Sequence, residues 1–197
     1  MTRVIAAIAG AWALAVLTTG CASTPSHLFT LSAGVDATSS PDPSLSKLVI
    51  VIGPVSIPTI VDVPQIVVRT GSNQVSLNEF NRWASPLKDN IARVVTANLT
   101  SLLGTPRISS ALNIDADYRV AIDVQTFESV PGDAATLSAL WTVRRVKDGR
   151  TDTGRTTDRE PTSQKSYEAL AAAHSRALAH LSADIANAIR ALNNAAQ

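Results

Sequence analysis

Residues 48–69 read LVIVIGPVSIPTIVDVPQIVVR, and the reading of this stretch decides the fold. A run this apolar could be a membrane helix, but Pro54, Pro58 and Pro64 each remove a backbone donor and Asp62 would be stranded in hydrocarbon. The segment is therefore a series of short extended pieces. Leu48 to Ile52 is β-branched and apolar on both sides, the pattern of a buried central strand. Gly53-Pro54 is expected to break that strand, and Ile57 to Gln65 to form an irregular crossing. Ile66 to Thr70 is a second strand, Gly71-Ser72-Asn73 a turn, and Gln74 to Phe80 the strand that returns beside it.

Working outward, the C-terminal side alternates helix, strands, helix. Ser85-Pro86 is expected to open a helix, with serine as N-cap and proline at the first helical position. Leu87, Ile91, Val94, Val95, Leu99 and Leu102 then share one face until Gly104 and Pro106 stop it. From Asp117 to Phe127, Tyr118, Val120, Ile122 and Val124 alternate with polar residues, a half-buried strand. Thr136 to Val146 does the same through Leu137, Ala139, Trp141 and Val143, and Lys147-Asp148-Gly149 marks a hairpin turn. Thr151 to Arg159 is polar on both faces and is expected as a weak edge strand or a loop. Ser166 to Asn193 is a long alanine-rich helix with a ridge of Leu178, Leu181, Ile185 and Leu192. The expected fold is α/β (α+β), a two-layer sandwich with two main helices packed on a mixed β-sheet.

On the N-terminal side, Leu28 to Leu31 is a plausible first strand, followed by a Ser-, Pro- and Asp-rich loop from Ser32 to Ser46. Before it, Arg3 and the apolar run Val4 to Leu17 have the form of a signal peptide, too short for a span of about 20 residues. Leu17-Thr18-Thr19-Gly20-Cys21 resembles a bacterial lipobox, although Thr18 stands where leucine is usual. The resemblance implies cleavage after residue 20 and acylation (palmitate among the chains) of Cys21, the sole cysteine. Residues 1–20 are then a signal peptide, 21–26 a lipidated tether and 27–197 one domain. Ala22 follows the cysteine where an aspartate commonly retains such proteins at the inner membrane, so the resemblance implies the outer membrane, periplasmic face.

The full chain has 197 residues and a net charge of +1. Loss of the signal removes one arginine and leaves 16 basic against 16 acidic side chains, which argues against bulk electrostatic binding of nucleic acid. One cysteine permits no internal disulfide, and three histidines with one cysteine argue against a dedicated zinc or iron–sulfur site. His174 and His180 lie six residues apart on the last helix and point away from each other, so they cannot share a metal. Asp115, Asp117 and Asp123 read as a solvated ladder around Arg119. Arg144, Arg145, Lys147, Arg150, Arg155 and Arg159 are interleaved with acids and read as a solvated hairpin, with contact to an acidic partner or lipid headgroups as the alternative. Trp83 reads as a core anchor, with an interface role as the alternative. With no catalytic constellation to assign, an enzyme is not expected, and no cofactor is implied beyond the lipid on Cys21.

Two stretches are distinctive together. Gly53-Pro54-Val55-Ser56-Ile57-Pro58 leads to Asp62-Val63-Pro64-Gln65-Ile66-Val67-Val68-Arg69, and Glu79-Phe80-Asn81-Arg82-Trp83-Ala84-Ser85-Pro86-Leu87 runs into the first helix. With the lipobox and the late helix near Tyr167, they resemble the PqiC/YmbA family of ABC-type transport auxiliary lipoproteins. The chain departs from that pattern at Val63, often arginine, and at Ser85, often glutamate. The resemblance implies an accessory to an MCE-domain lipid transport system that supports envelope integrity, with an MCE-domain protein as partner and a homo-oligomeric ring as a plausible assembly. Pro58, Asp62, Pro64, Gln65, Arg69 and Trp83 are the candidate partner-binding residues, because an irregular apolar loop is a poor core element. A general envelope scaffold and a direct lipid carrier are the competing roles.

Overall fold

The computed structural model describes residues 25–34, 45–111, 113–162 and 164–195. The signal peptide, Cys21 and most of the 32–46 loop lie outside these described residues. Among the described residues eight strands and two long helices follow in the order β1 (His27–Phe29), β2 (Ile50–Ser56), a 3-10 turn (Thr59–Val61), β3 (Gln65–Gly71), β4 (Gln74–Trp83), α1 (Leu87–Leu103), β5 (Ile108–Ser109), β6 (Tyr118–Val130), β7 (Ala134–Arg145), β8 (Thr151–Pro161) and α2 (Tyr167–Asn194). The α+β architecture is the one expected from the pattern of apolar residues. The sheet, however, is divided in two: β5-β2-β6-β7-β8 and a smaller β1-β4-β3. Among the described residues no helix is long and apolar enough to cross a membrane.

In the larger sheet β2 runs parallel to β6, and β6, β7 and β8 form an antiparallel meander. Tyr118, Val120, Ile122 and Val124 point inward opposite Arg145, Val143, Trp141 and Ala139. The register shifts between Val124 and Thr126. This bulge moves the inward set from even to odd positions, so Phe127 and Ser129 are the next residues buried.

Both helices lay an apolar ridge on the inner face of this sheet, and their side chains join those of both sheets in one core. Leu87, Ile91, Val94, Val95, Leu99 and Leu103 are the buried stripe of α1, while Leu102 is only partly covered. Gly104 ends α1 at φ 66°, a left-handed conformation that costs a residue without a Cβ little. Where α1 meets α2, the buried Asn98 amide donates to Ser182 Oγ at 3.2 Å.

Three expectations change in detail. Gly53-Pro54 does not end β2; the strand runs on to Ser56, and the two residues are absorbed as a register shift between Ile52 and Val55. Ser85 does not cap α1, because Pro86 itself occupies the N-cap and no side chain accepts there. At the start of α2, Ser166 does cap, accepting from Ala169 N–H at 3.1 Å. Thr151 to Arg159 is an edge strand of the larger sheet rather than a loop, but a long one, part of the 11-residue β8. Its inward side chains are polar because they meet polar and charged residues of α2: Thr156 donates to Asp184, Asp158 meets His180 and Glu160 meets Arg176.

Candidate functional site

The crossing between β2 and β3 is tied down by its own backbone. Val61 N–H donates to Pro58 O at 3.0 Å and Asp62 N–H to Thr59 O at 3.2 Å, closing one 3-10 turn. That turn sends consecutive residues opposite ways: Val61 enters the core, while Ile60 stays 58% exposed. Pro64 O accepts from Trp83 N–H at 2.8 Å, so the end of β4 is fastened to the end of the crossing.

The polar groups beside it are paired. Asp62 meets Lys88 of α1 at 2.8 Å. Gln65 Nε2 donates to Glu79 at 2.7 Å. Arg69 joins β3 to β6 through Glu128 at 2.5 Å and donates to Ser72 O at 2.8 Å. The hydrogen bond and charge of Glu128 hold the Arg69 guanidinium above its ordinary pKa.

Two grooves flank the crossing. One of about 370 Å³ is lined by Asp62, Val63, Pro64, Trp83, Pro86 and Leu87. The other, of about 240 Å³, is lined by Pro58, Ile60, Val67, Arg69, Val75 and Phe127 among others. The candidate set is thus gathered in one region but split. Asp62, Pro64 and Trp83 belong to the first groove, Pro58 and Arg69 to the second, and Gln65 to neither. Trp83 is buried, its ring edge-on to Phe127 with centroids 6.2 Å apart, as a core anchor would be.

Several contributors were not foreseen. Lys88 and Glu128 neutralise the two charged members of the set. Ile60 carried a signal as the apolar tip of the Pro58–Pro64 loop, yet periodicity cannot distinguish it from Val61. Beneath the second groove, the fully buried His174 stacks on Phe127 and pairs with Ser129 at 2.9 Å.

His180 and His174 do point apart, but His180 meets two acids on another element. His180 Nδ1 lies 2.6 Å from Asp158 and 3.8 Å from Glu160. One ligand atom from each lies within 4.8 Å of the others, the one such grouping among the described residues. Glu160 also pairs with Arg176 at 2.5 Å, so a cation would have to displace a guanidinium there. Three of the six cations of the basic hairpin are neutralised by nearby acids. Arg145 and Arg150 turn onto Asp148 and the last carbonyls of α2, and Arg159 pairs with Asp133.

The family described as "ABC-type transport auxiliary lipoprotein component" matches residues 29–186, from β1 into the last turns of α2. The chain belongs to this family. The auxiliary-lipoprotein match therefore takes in both grooves, both sheets and both helices, and it agrees with the PqiC/YmbA resemblance carried by Gly53–Pro58, Asp62–Arg69 and Glu79–Leu87. The crystal structure of an uncharacterized protein is similar at TM-score 0.70 and 20% identity, covering 84% of this chain and 99% of that one. Protein XCC0632 from Xanthomonas campestris, of family DUF330, is similar at TM-score 0.67 and 22% identity, covering 87% and 100%. At these identities the likeness shows a shared fold. No curated protein matches the sequence. An auxiliary lipoprotein of a transport system is consistent with a membrane-anchored place in the cell envelope.

Proposed function

We propose that this auxiliary lipoprotein is anchored through Cys21 at the periplasmic face of the outer membrane and serves an MCE-domain, ABC-type system that moves lipid between membranes, thereby supporting envelope integrity. Its part is that of an adaptor rather than an enzyme. The observation that carries the reading is the family match over residues 29–186. Support comes from the surface at the β2–β3 crossing. There an exposed Ile60 lines one of two neighbouring grooves, each rimmed by half-exposed charges, and the grooves are backed by the packed Trp83–Phe127 pair. Rigid backing beneath an apolar tip is what a docking surface needs, because little side-chain freedom is left to lose on association.

The test is a crosslinked pull-down from intact envelopes with the acylated chain tagged at its C-terminus. Recovery of an MCE-domain protein supports the adaptor role. Its absence, with the bait in the outer membrane and a known envelope complex crosslinked in parallel, overturns it.

A further inference from the structure

The tether ends on the smaller sheet. Five residues separate Cys21 from His27, the first residue of β1, and they reach at most about 20 Å. A domain of this size is about 40 Å across. The folded part is therefore held within about half its own diameter of the acylated end, and β1 is the element nearest to it.

β1 pairs in parallel with β4, placing Leu28 in register with Arg82 and Phe29 with Trp83. Phe29 and Trp83 turn toward the core, Phe29 against Tyr167 with ring centroids 5.9 Å apart. Leu28 and Arg82 therefore take the other side. Leu28 is 65% exposed, and Phe80, two residues before Arg82, is 41% exposed. The strand the anchor enters and its neighbour β4 thus present two large apolar side chains, Leu28 and Phe80, and the Arg82 guanidinium, whose charge meets no carboxylate among the described residues.

The orientation of α2 shows which end of the molecule this is. β1 sits at the start of α2, through Phe29 on Tyr167 and Ser32 N–H on Ser175 Oγ at 3.0 Å. The β7–β8 turn sits at its finish, where Arg150 donates to Ala195 O at 3.1 Å. A 28-residue helix is about 42 Å long, so Val146, exposed in that turn, is on the order of 40 Å from Leu28.

We infer that Leu28, Phe80 and Arg82 form a membrane-contacting edge. The short tether presses β1 and the end of β4 onto the bilayer, with the two apolar side chains at the headgroup–acyl boundary, the guanidinium at the lipid phosphates, and the β7–β8 turn pointing away. Apolar insertion of a few ångströms beside a cation is how shallow interfacial contacts hold anionic membranes. The inference rests on anchoring at Cys21.

The experiment uses the full acylated chain in vesicles of phosphatidylethanolamine and phosphatidylglycerol. Acylation consumes the thiol of Cys21, so Leu28→Cys, Phe80→Cys and Val146→Cys each offer one labelling site for an environment-sensitive fluorophore. The expected result is severalfold stronger quenching by brominated lipid at 28 and 80 than at 146. Equal quenching at all three positions, or none at 28 and 80 in chains that float with the vesicles, overturns the membrane-contacting edge and leaves the anchor intact. If the acylated chain does not float while Cys21→Ser behaves identically, the anchoring reading fails, and this inference with it. If the labels at 28 and 80 are shielded, unquenched and crosslink to a second copy, the edge is a self-interface and the inference is overturned.

Discussion

The imidazole of His174 in α2 lies flat on the ring of Phe127 in β6, with centroids 3.7 Å apart and planes 7° from parallel. The bulge after Val124 makes the contact, since it turns Phe127 and Ser129 inward together. His174 is fully buried; one ring nitrogen meets Ser129 and Nδ1 meets no partner. Burial pushes its pKa down from 6.5 to about 3, because a charged imidazolium would be desolvated there. The folded value lies below the unfolded one, so the unfolded chain takes the proton first. Stability is whole above pH 6.5 and falls between 6.5 and 3, by up to about 1.4 kcal/mol per pH unit. Urea midpoints at pH 7 and pH 5 should separate in the native chain and come closer together in His174→Leu. An unchanged separation would show that other groups carry the acid sensitivity.

Gly154 is the position that lets Trp141 lie over β8. The two are cross-strand partners, and a Cβ added at Gly154 would fall 2.2 Å from Cζ2 of the indole. The indole N–H is meanwhile held by Thr156 Oγ1 at 3.1 Å, so the ring has little room to retreat. Gly154→Ala should cost about 1–3 kcal/mol in chemical denaturation. Trp141→Leu introduced with it should return part of that cost, giving a favourable coupling in the double-mutant cycle. Simple additivity would mean the backbone, not the indole, sets the requirement.

Arg145 is nearly buried and joins three elements. It is cross-strand to Tyr118, it clasps the Asp148 carboxylate through Nε at 2.9 Å and Nη2 at 2.5 Å, and Nη1 reaches Leu192 O near the end of α2. The guanidinium holds the Asp148 carboxyl well below the usual carboxylate range. Arg145→Met removes both side-chain hydrogen bonds from Arg145 to the carboxylate and the one to the Leu192 carbonyl, and should cost about 2–4 kcal/mol. Arg150→Met removes an exposed contact to the same carboxylate and should cost less than about 1 kcal/mol. Equal losses in the two variants would contradict the central position given to Arg145.

The crossing offers a test of the docking surface that does not disturb the core. Asp62 and Lys88 form a half-exposed pair, so Asp62→Lys should change stability by no more than about 1 kcal/mol. Ile60→Glu alters a side chain already in solvent. If this surface receives the partner, both substitutions lower crosslinked capture of the MCE-domain protein while the melting temperature holds. Trp83→Ala is the wrong probe, since emptying that buried site should cost about 3–5 kcal/mol. Undiminished capture by folded Asp62→Lys and Ile60→Glu would move the partner surface elsewhere.

Much of this architecture was legible in one dimension. The strands of the 48–69 stretch, the ridges of α1 and α2, and the inward residues of β6 and β7 follow from spacing, because side-chain direction is set by helical and pleated geometry alone. The runs Gly53–Pro58 and Asp62–Arg69, with Glu79–Leu87, led to the family. The misreadings fell where two backbone devices can serve one sequence. Gly53-Pro54 reads equally as a strand end or as an irregularity that parallel pairing with β6 carries through. Ser85-Pro86 offers two residues for one cap.

The sequence by itself determined the two helices and most of the strands, though not the short β5, together with their apolar faces, the sole thiol at Cys21 and the family. Only the tertiary structure decided that the strands split into two sheets, that Asp62 meets Lys88 and Arg69 meets Glu128, that β8 is polar because α2 faces it with charge, and that β1 and the β7–β8 turn lie at opposite ends of one helix. The physical reason is range. Periodicity reports which side of its own element a residue occupies, whereas the partner of a charge 59 residues away depends on how elements pack, and a single-residue bulge in β6 was enough to change which side chains the core receives.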